Sequence, residues 1–358
     1  MKPYRVGIIG CGNIANAHAK ACEALGIEMV AAADITKEQL DKFQNAHNVR
    51  TLYTDYKLML KKEDLDIVII CTWPPLHAEM TVAAAESGVK GIICEKPMAV
   101  NLAEADAMIE ACDKSKTKLV IGHMRRFSEA YAGARRLILS GAIGEVYFIH
   151  GVTVGDLLSD GTHIVDMIRF FAGDAPVNWV VGQVDARSKK TRYGHYVEDS
   201  SMGYFEFENG VRAFLDIGLP YGKQTGTSTQ TPSAAVLPQS TMWWRKLVRY
   251  TSAFVLGTEG RIEVGEREVP PLRYKGKGDI EWKVPQLKQG VDPFTVQLRV
   301  LTECIEKGTE HPCNGRQGRA ALEILMAVHE SARRRVKIGL PLAVKEYPLA
   351  EIIKNNEI

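Results

Sequence analysis

The sequence lacks the features that mark membrane proteins, nucleic-acid-binding proteins and disulfide-rich domains. No apolar run approaches the roughly 18 residues that cross a bilayer, so we expect no membrane partner. Lysine and arginine total 45 against 43 aspartates and glutamates, without a basic run, so nucleic acid is not an expected partner. The seven cysteines form no CxxC pair and indicate small reduced side chains, with no disulfide framework and no metal site.

The length of 358 residues allows two domains, each with its own core. The first predicted strand begins a few residues from the start of the sequence. This leaves no room for the charged, apolar and cleavage regions of a secretory signal. We therefore expect a cytoplasmic protein.

The run VGIIGCGNIA near the start predicts a buried strand that turns through two glycines into a helix. Gly10 permits the tight turn, Gly12 lets a phosphate approach the backbone, and the free N–H groups at Asn13 and Ile14 face the anion. The acidic Asp34 follows at the end of the second predicted strand. Strand, glycine turn, helix and acid together form the fingerprint of a dinucleotide-binding site.

Asp34 also indicates which dinucleotide is bound. A carboxylate in this place accepts hydrogen bonds from both ribose hydroxyls of NAD and repels the 2′-phosphate of NADP. Lys37 lies three residues further on and softens this preference. We therefore predict NAD, with NADP as the alternative.

In the first third of the sequence, nearly continuous apolar strands alternate with helices. This pattern is typical of a parallel sheet covered on both faces. The predicted strands cover residues 5–9, 27–33, 50–52, 66–71, 91–94 and 119–122. The pattern predicts an α/β fold class whose N-terminal part, residues 1–122, is a doubly wound Rossmann domain that binds NAD(P).

Beyond residue 125 the predicted strands become longer and alternate between apolar and polar residues. They cover residues 145–153, 179–186, 202–207, 212–217 and 261–264, and a hairpin turn is predicted at 208–210. We predict an α+β domain over residues 123–358 with a large, open, mostly antiparallel sheet. Helices at 293–306 and 316–335 bring the chain back, so that the C-terminal helix and tail can return to the first domain.

The open face of that sheet predicts self-association. Trp179, Tyr204 and Phe205 supply apolar surface for a neighbouring subunit, and we expect a homodimer or homotetramer. Residues 222–241, rich in Gly, Ser, Thr, Gln and Pro, indicate a mobile loop.

Two short motifs follow strands of the predicted parallel sheet, at the edge where such sheets bind ligands. In the first, prolines delay the next helix until His77, so that Thr72 and Trp73 can run past the nicotinamide ribose. In the second, Glu95 and Lys96 precede Pro97, whose peptide bond is a candidate for the cis form. Lys96 points into the crevice and is suited to proton transfer, although strand-end lysines are more often solvated charges. We place Thr72, Trp73, His77, Glu95 and Lys96 beside the cofactor.

A third motif, DLLSDGTHIVD, covers residues 156–166 and opens a helix. Asp160 or Thr162 is the expected N-cap, and the spacing puts Asp160 and His163 on one helix face. The simpler alternatives are a structural cap at Asp160 and a hydrogen-bonded core histidine at His163.

Taken together, these motifs resemble the glucose-fructose oxidoreductase / myo-inositol dehydrogenase (Gfo/Idh/MocA) family. The likeness adds GHMRRF at 122–127 and GAIGEV at 141–146 and runs through essentially the whole chain. It implies that Lys96 is the catalytic acid/base and that His163 binds the reacting hydroxyl. The family's usual D-x-G-x-H pattern has an aspartate four residues before the histidine, where this chain has Ser159. Candidate substrate ligands are therefore Asp156, Ser159 and Asp160, with Arg125 from the GHMRRF motif.

The expected function is hydride transfer between nicotinamide and a hydroxyl-bearing carbon of a sugar, sugar derivative or inositol. One alternative keeps NAD tightly bound and uses transient oxidation to cleave a glycosidic bond or epimerise a centre. A second alternative is an NAD-binding sensor without catalysis, against which the presence of both Lys96 and His163 argues.

Overall fold

A computed structural model of the protein describes residues 4–218, 250–288 and 290–356. The loop predicted at 222–241 lies outside these residues. The first third of the chain forms the expected six-stranded parallel sheet, in the order β3-β2-β1-β4-β5-β6. Its strands are β1 Arg5–Ile9, β2 Glu28–Ala33, β3 Thr51–Tyr53, β4 Ile67–Ile70, β5 Gly91–Cys94 and β6 Lys118–Ile121. The predicted Rossmann fold is therefore confirmed.

Five helices connect these strands: α1 Asn13–Leu25, α2 Lys37–His47, α3 Tyr56–Lys62, α4 His77–Glu86 and α5 Leu102–Ser115. The central strands β4 and β5 are buried along their whole length, as expected when helices cover both faces of a parallel sheet. The prolines after β4 form a 3₁₀ turn, Pro74–Leu76, so that α4 begins at His77 as predicted. The strand ends at Ile9, Ala33, Ile70 and Cys94 therefore meet along one edge.

The second part of the chain builds an eight-stranded sheet in the order β15-β14-β13-β7-β12-β11-β8-β16, in which only the β7 and β12 neighbours are parallel. Its strands are β7 Val146–Thr153, β8 Val177–Asp185, β11 Ser200–Phe207, β12 Arg212–Ile217, β13 Ser252–Gly257, β14 Gly260–Gly265, β15 Leu272–Lys275 and β16 Ile338–Gly339. The predicted turn at 208–210 joins β11 to β12. A separate antiparallel hairpin, β9 Lys190–Arg192 and β10 His195–Val197, was not predicted.

Five more helices complete the described fold: α6 Glu129–Leu139, α7 Thr162–Phe171, α8 Pro293–Lys307, α9 Gly315–Arg334 and α10 Pro348–Lys354. Helix α9 packs closely on the second sheet, because Gly182 and Gly203 have no side chains there. An added Cβ at either glycine would lie within 2.9 Å of Val328. None of the helices in the described ranges is long and apolar enough to cross a bilayer.

The C-terminal segment also contacts the Rossmann sheet and its helices. Helix α8 packs against α1, and α9 packs against α5 and β6. The Lys345 carbonyl accepts hydrogen bonds from the N–H groups of Leu102 and Ala103, at the start of α5. The two sheets are thereby joined by elements from the end of the chain.

The other face of the second sheet carries exposed apolar side chains. Along β8 and β11, Val180 and Phe205 point into the core, whereas Val181 and Met202 point outwards and are 43% and 51% exposed. Tyr204 lies beside them and packs against Trp179. Phe205, which we expected on the open face, instead belongs to the core, because its position in the strand alternation faces α9.

The seven cysteines are unpaired and buried. Burial raises the pKa of the thiols of Cys11, Cys22 and Cys112 to about 12. They are therefore protonated at neutral pH and fill the core as small apolar groups.

Candidate active site

The glycine turn after β1 has the shape that a bound diphosphate requires. Gly10 has a φ of +88°, and a Cβ there would lie 2.9 Å from the Cys71 carbonyl, so only glycine fits. A Cβ at Gly12 would meet nothing within 4 Å, which indicates open space on that side of the turn. No side chain caps α1, so the N–H groups of Asn13 and Ile14, at the start of the helix, are left to face that space.

Asp34 is bound to the glycine turn itself. Its Oδ2 accepts a hydrogen bond from the Cys11 N–H at 2.8 Å, and its Oδ1 accepts one from the Thr36 N–H, also at 2.8 Å. The carboxylate thus has a fixed orientation at the end of β2. Each oxygen keeps acceptor capacity for a ribose hydroxyl.

The loop after β4 leaves one of the predicted residues exposed and buries another. Trp73 is 61% exposed, whereas His77 is fully buried. His77 Nδ1 lies 2.9 Å from the Pro97 carbonyl oxygen, and Nε2 lies 3.0 Å from the Thr72 carbonyl oxygen. Because both ring nitrogens have partners, His77 braces the two loops that follow β4 and β5.

The loop after β5 places Lys96 between a buried ion pair and the second domain. Glu95 Oε1 lies 2.8 Å from His18 Nε2, and Glu95 Oε2 accepts a hydrogen bond from the Lys96 backbone N–H. Burial acts to raise the pKa of the Glu95 carboxyl, but His18 and Lys96 outweigh it and hold that pKa below its usual value. The Lys96–Pro97 peptide bond is cis, the form considered from the sequence.

Lys96 reaches the second domain through a single hydrogen bond. Its Nζ donates to the Ser159 carbonyl oxygen at 2.9 Å. This carbonyl belongs to a π-helical turn, Leu157–Gly161, that leads into α7. Single π turns are often found at functional sites. Within the described residues, Lys96 Nζ forms no ion pair with a carboxylate.

All three polar groups of Ser159 have partners in this turn. The N–H donates to Asp156 Oδ1 at 2.6 Å, the hydroxyl lies 3.3 Å from His195 Nε2, and the carbonyl accepts from Lys96. Leu157 at the start of the turn donates its N–H to the buried Glu198 carboxylate. The position of the Lys96 amine therefore depends on a turn fixed from several sides.

The predicted helix cap at Asp160 or Thr162 is wrong. The helical backbone begins earlier than expected, in the π turn, so the capping carboxylate is that of Asp156. The Thr162 hydroxyl lies 3.0 Å from His123 Nε2 instead. Asp160 accepts a hydrogen bond from Arg192 Nη1.

Arg192 is the site residue that the sequence analysis missed. From the β9–β10 hairpin, its Nη1 donates to Asp156 Oδ2 at 2.9 Å and to Asp160 Oδ2. The two carboxylates raise the pKa of Arg192, although burial acts in the opposite direction. The only local sequence signal for this hairpin was the pair Tyr193-Gly194, which forms its two-residue turn. The strand after the turn places His195 beside Ser159.

His163 is buried at the start of α7, among positive charges. Its ring centroid lies 6.3 Å from that of His123, and its Nδ1 has no hydrogen-bond partner in the described part of the chain. Burial, with the charges of Arg125, Lys96 and His123, holds the pKa of His163 well below its usual value. The imidazole is therefore uncharged at neutral pH and can accept a proton or a hydrogen bond.

The two arginines of the GHMRRF motif differ in their surroundings. Arg126 forms a bidentate pair with the buried Asp166 and also bonds Asp174, which makes it structural. Arg125 is also buried; its Nε lies 3.1 Å from Glu266 Oε1 and its guanidinium stacks over Tyr250. Its Nη1 is buried without a hydrogen-bond partner in the described residues, so one donor of Arg125 remains available.

These parts define an NAD-binding oxidoreductase: a dinucleotide cradle, a lysine from the loop after β5 and an uncharged histidine at the start of α7. Residues 4–123 match the family described as an oxidoreductase family with an NAD-binding Rossmann fold, and residues 149–340 match the C-terminal alpha/beta domain of the same family. The chain belongs to the Gfo/Idh/MocA oxidoreductase family. The expected family and fold class are thereby confirmed.

Similar proteins align with nearly the whole length of this chain. D-apiose dehydrogenase of Paraburkholderia graminis is 26% identical over 97% of this chain and 92% of its own length. Myo-inositol 2-dehydrogenase of Thermotoga maritima is 27% identical over 94% of this chain and 98% of its own length. The solved structure of levoglucosan dehydrogenase in complex with NADH and levoglucosan has a TM-score of 0.79, with 20% identity over 95% of this chain and all of that chain.

Replacing Asp34 by serine tests the placement of the adenosine ribose. Asp34→Ser removes the charged acceptor and the charge that repels a 2′-phosphate, so the affinity for NAD should fall and the ratio of NADP to NAD affinity should rise. Loss of a hydrogen bond to a charged group costs about 1.5–3 kcal/mol, or roughly 10- to 100-fold in Kd. Calorimetric titration with both cofactors measures this.

Asp41→Ser is the matched control, because Asp41 is an exposed carboxylate on α2. It should leave both dissociation constants unchanged. Unchanged NAD and NADP binding in Asp34→Ser itself would contradict this placement of the ribose.

Proposed function

We propose that this protein transfers a hydride between NAD and a hydroxyl-bearing carbon of a sugar, sugar derivative or inositol. The observation that carries the proposal is the contact of Lys96 Nζ with the uncharged Ser159 carbonyl, beside the uncharged His163. An amine bonded to a carbonyl can exchange a proton without breaking an ion pair. The substrate class is supported by the names of similar proteins, which include D-apiose and myo-inositol 2-dehydrogenases.

Each residue of the site has a proposed part in this reaction. When bound, NAD accepts the hydride at its nicotinamide ring. Lys96, as the uncharged amine, takes the hydroxyl proton directly or through His163, and as the ammonium it returns the proton in the opposite direction. His163 orients the reacting hydroxyl, and Glu95, held by His18, fixes the backbone of Lys96. Thr72 and Trp73 border the nicotinamide end of the crevice.

The proposed substrate ligands divide into two groups. Arg125 has an available donor, Nη1, and we propose that it binds a substrate hydroxyl or other acceptor. The polar groups of Asp156 and Ser159 already have partners in the protein, so we propose that these two residues shape the substrate site. Asp160 is held by Arg192 and keeps a second carboxylate oxygen for a substrate hydroxyl.

We propose NAD as the working cofactor and residue 122 as the division between the two domains. The fixed carboxylate of Asp34 supports NAD, and Lys37 on the following helix is the feature that keeps NADP as the alternative. The end of β6 at Ile121 and the family match over residues 4–123 support the division. A cytoplasmic location remains a prediction from the sequence.

A substrate screen tests the reaction. Sugars, inositols and uronic acids are incubated with NAD or NADP, and reduced nicotinamide is read by its absorbance. Stoichiometric formation of NADH with at least one compound is expected. Conversion of a sugar without net formation of NADH would favour the transient-oxidation alternative, and the absence of any conversion would favour an NAD-binding sensor.

Lys96→Met should retain the fold and the affinity for NAD, because the diphosphate is held by the glycine turn. Turnover should fall by about 10²- to 10⁴-fold, the range for loss of a positioned proton-transfer group. His163→Ala should also lower turnover, and the double variant should lose less than the product of the single losses, since both groups act on one hydroxyl. Steady-state rates and NAD titration give both quantities.

Lys114→Met, at the exposed end of α5, is the control and should show wild-type turnover. Wild-type turnover in Lys96→Met would remove Lys96 from the chemistry. Lost NAD binding would instead make Lys96 a cofactor ligand.

The pH dependence of kcat/KM should reflect the uncharged state of His163. Its pKa lies well below the ordinary 6.5, and protonation removes its ability to accept a hydrogen bond. The activity controlled by this group is therefore present at neutral pH and is lost only as the pH falls well below 6.5. An acid limb at or above 6.5 that disappears in His163→Gln would contradict this assignment.

We propose that the open face of the second sheet joins subunits into a homodimer or homotetramer. Val181, Met202 and Tyr204 give that face exposed apolar area, which is a typical interface surface. Light scattering at micromolar concentration should give a multiple of 39.6 kDa, and the pair Val181→Glu and Met202→Glu should shift the mass towards the monomer. Leu139→Glu, exposed on α6, should not, and a monomeric wild type would refute the proposal.

A further inference from the structure

Two exposed aromatic side chains from different domains meet at the mouth of the crevice. Trp73 follows β4 and is 61% exposed, and Tyr193 lies at the tip of the β9–β10 hairpin and is 45% exposed. Their ring centroids are 6.4 Å apart and the ring planes are inclined by 59°. The proton-transfer chemistry proposed above uses neither ring face.

The backbone of the hairpin is strained at Tyr193. Tyr193 and Gly194 both have positive φ, +48° and +80°, as in the two-residue turns that favour asparagine followed by glycine. A tyrosine in this conformation costs free energy that an asparagine would not. Tyrosine therefore occupies a position whose backbone conformation disfavours it.

The aromatic pair lies directly beside the catalytic turn. The Arg192 guanidinium stacks over the Tyr193 ring at 4.8 Å, and the same guanidinium bonds Asp156, whose carboxylate caps the turn that holds Lys96. On the other side, Gly194 packs against Pro75, two residues after Trp73. Tyr193 is thus linked through the Arg192 and Asp156 side chains to the turn that holds Lys96.

The shape of the pair suits a ring that stacks on it from outside. At 6.4 Å and 59° the two rings form a corner, too close together to admit a third ring between them. The exposed faces of sugar rings carry C–H groups that pack on an aromatic face, while their hydroxyls need hydrogen-bond partners. The Tyr193 hydroxyl and the Arg192 guanidinium, 3.5 Å apart, supply such partners at the corner.

We infer that Trp73 and Tyr193 form an outer subsite for a second sugar ring, so that the substrate has two linked rings. The reacting ring lies at Lys96, and the outer ring packs on the aromatic corner. This inference rests on the proposed function, because it takes the reacting centre to be at Lys96. Two other roles of the pair, a latch between the domains and a contact to the cofactor, predict different outcomes.

The first experiment compares single-ring and two-ring compounds as substrates with NAD. Glucose, galactose and xylose are measured beside maltose, cellobiose, lactose and xylobiose. A two-ring compound should have a higher kcat/KM than its own monosaccharide. In Tyr193→Asn, KM for that compound should rise by about three- to tenfold, the effect of losing one aromatic contact, while values for the monosaccharide stay within twofold.

The variants are chosen to separate the subsite from the alternatives. Tyr193→Asn removes the ring and suits the positive φ, so the hairpin should fold; Tyr193→Phe keeps the ring and should retain most of the preference. Tyr147→Asn, which removes another exposed tyrosine, is the control. Equal losses of kcat/KM for one-ring and two-ring compounds would identify a latch between the domains. A weaker affinity for NAD would identify a contact to the cofactor. Either result overturns the inference.

A binding measurement keeps this test independent of turnover. Saturation-transfer NMR with cellobiose and maltose on the NAD-loaded protein should show strong transfer to the outer ring, and Tyr193→Asn should weaken it for that ring only. Contact of the outer ring without oxidation of any sugar would refute the proposed function but retain the subsite. Oxidation of monosaccharides with no preference for, and no contact to, a second ring would refute the subsite alone.

Discussion

The hydrogen bond from Lys96 Nζ to the Ser159 carbonyl oxygen is the contact on which the site depends. It joins a strand end of the parallel sheet to a turn of the second domain, 63 residues away in the chain. The acceptor cannot shift freely, because the N–H and hydroxyl of Ser159 are bound by Asp156 and His195. A lysine side chain has four flexible bonds, so a fixed acceptor is what gives its amine a defined position.

The positively charged side chains around this contact fall into two groups according to their partners. Arg125, Arg126 and Arg192 each form an ion pair with a carboxylate, whereas Lys96 in the described structure bonds a neutral carbonyl. A buried ion pair contributes little net stability, but removing one of its partners is strongly destabilising because it leaves an unpaired buried charge. The three arginines are therefore fixed by their carboxylates, whereas Lys96 is held by an uncharged acceptor. Burial, with the charges of Arg125, Lys96 and His123, keeps His163 uncharged.

The sequence predicted those parts of the site that depend on local pattern. The glycine turn, Asp34 and the strand-end position of Lys96 follow from strand and helix periodicity within a few dozen residues. Arg192 and the capping role of Asp156 were not predictable in this way. Arg192 bonds Asp156 and Asp160 from 36 and 32 residues away, in a hairpin too short for a clear strand signal, whereas Asp156 caps its own turn through Ser159. Likewise, a π turn shifts the start of a helix, which moved the cap from Asp160 to Asp156.

The serine at position 159, where the family pattern has an aspartate, suits the charges around this turn. A carboxylate there would place a negative charge beside Asp156 and Asp160, which already share the one cation of Arg192. Serine instead bonds His195, whose pKa burial lowers below its usual value, so this contact is uncharged at neutral pH. The hairpin that supplies Arg192 and His195 thus supports the turn that holds Lys96.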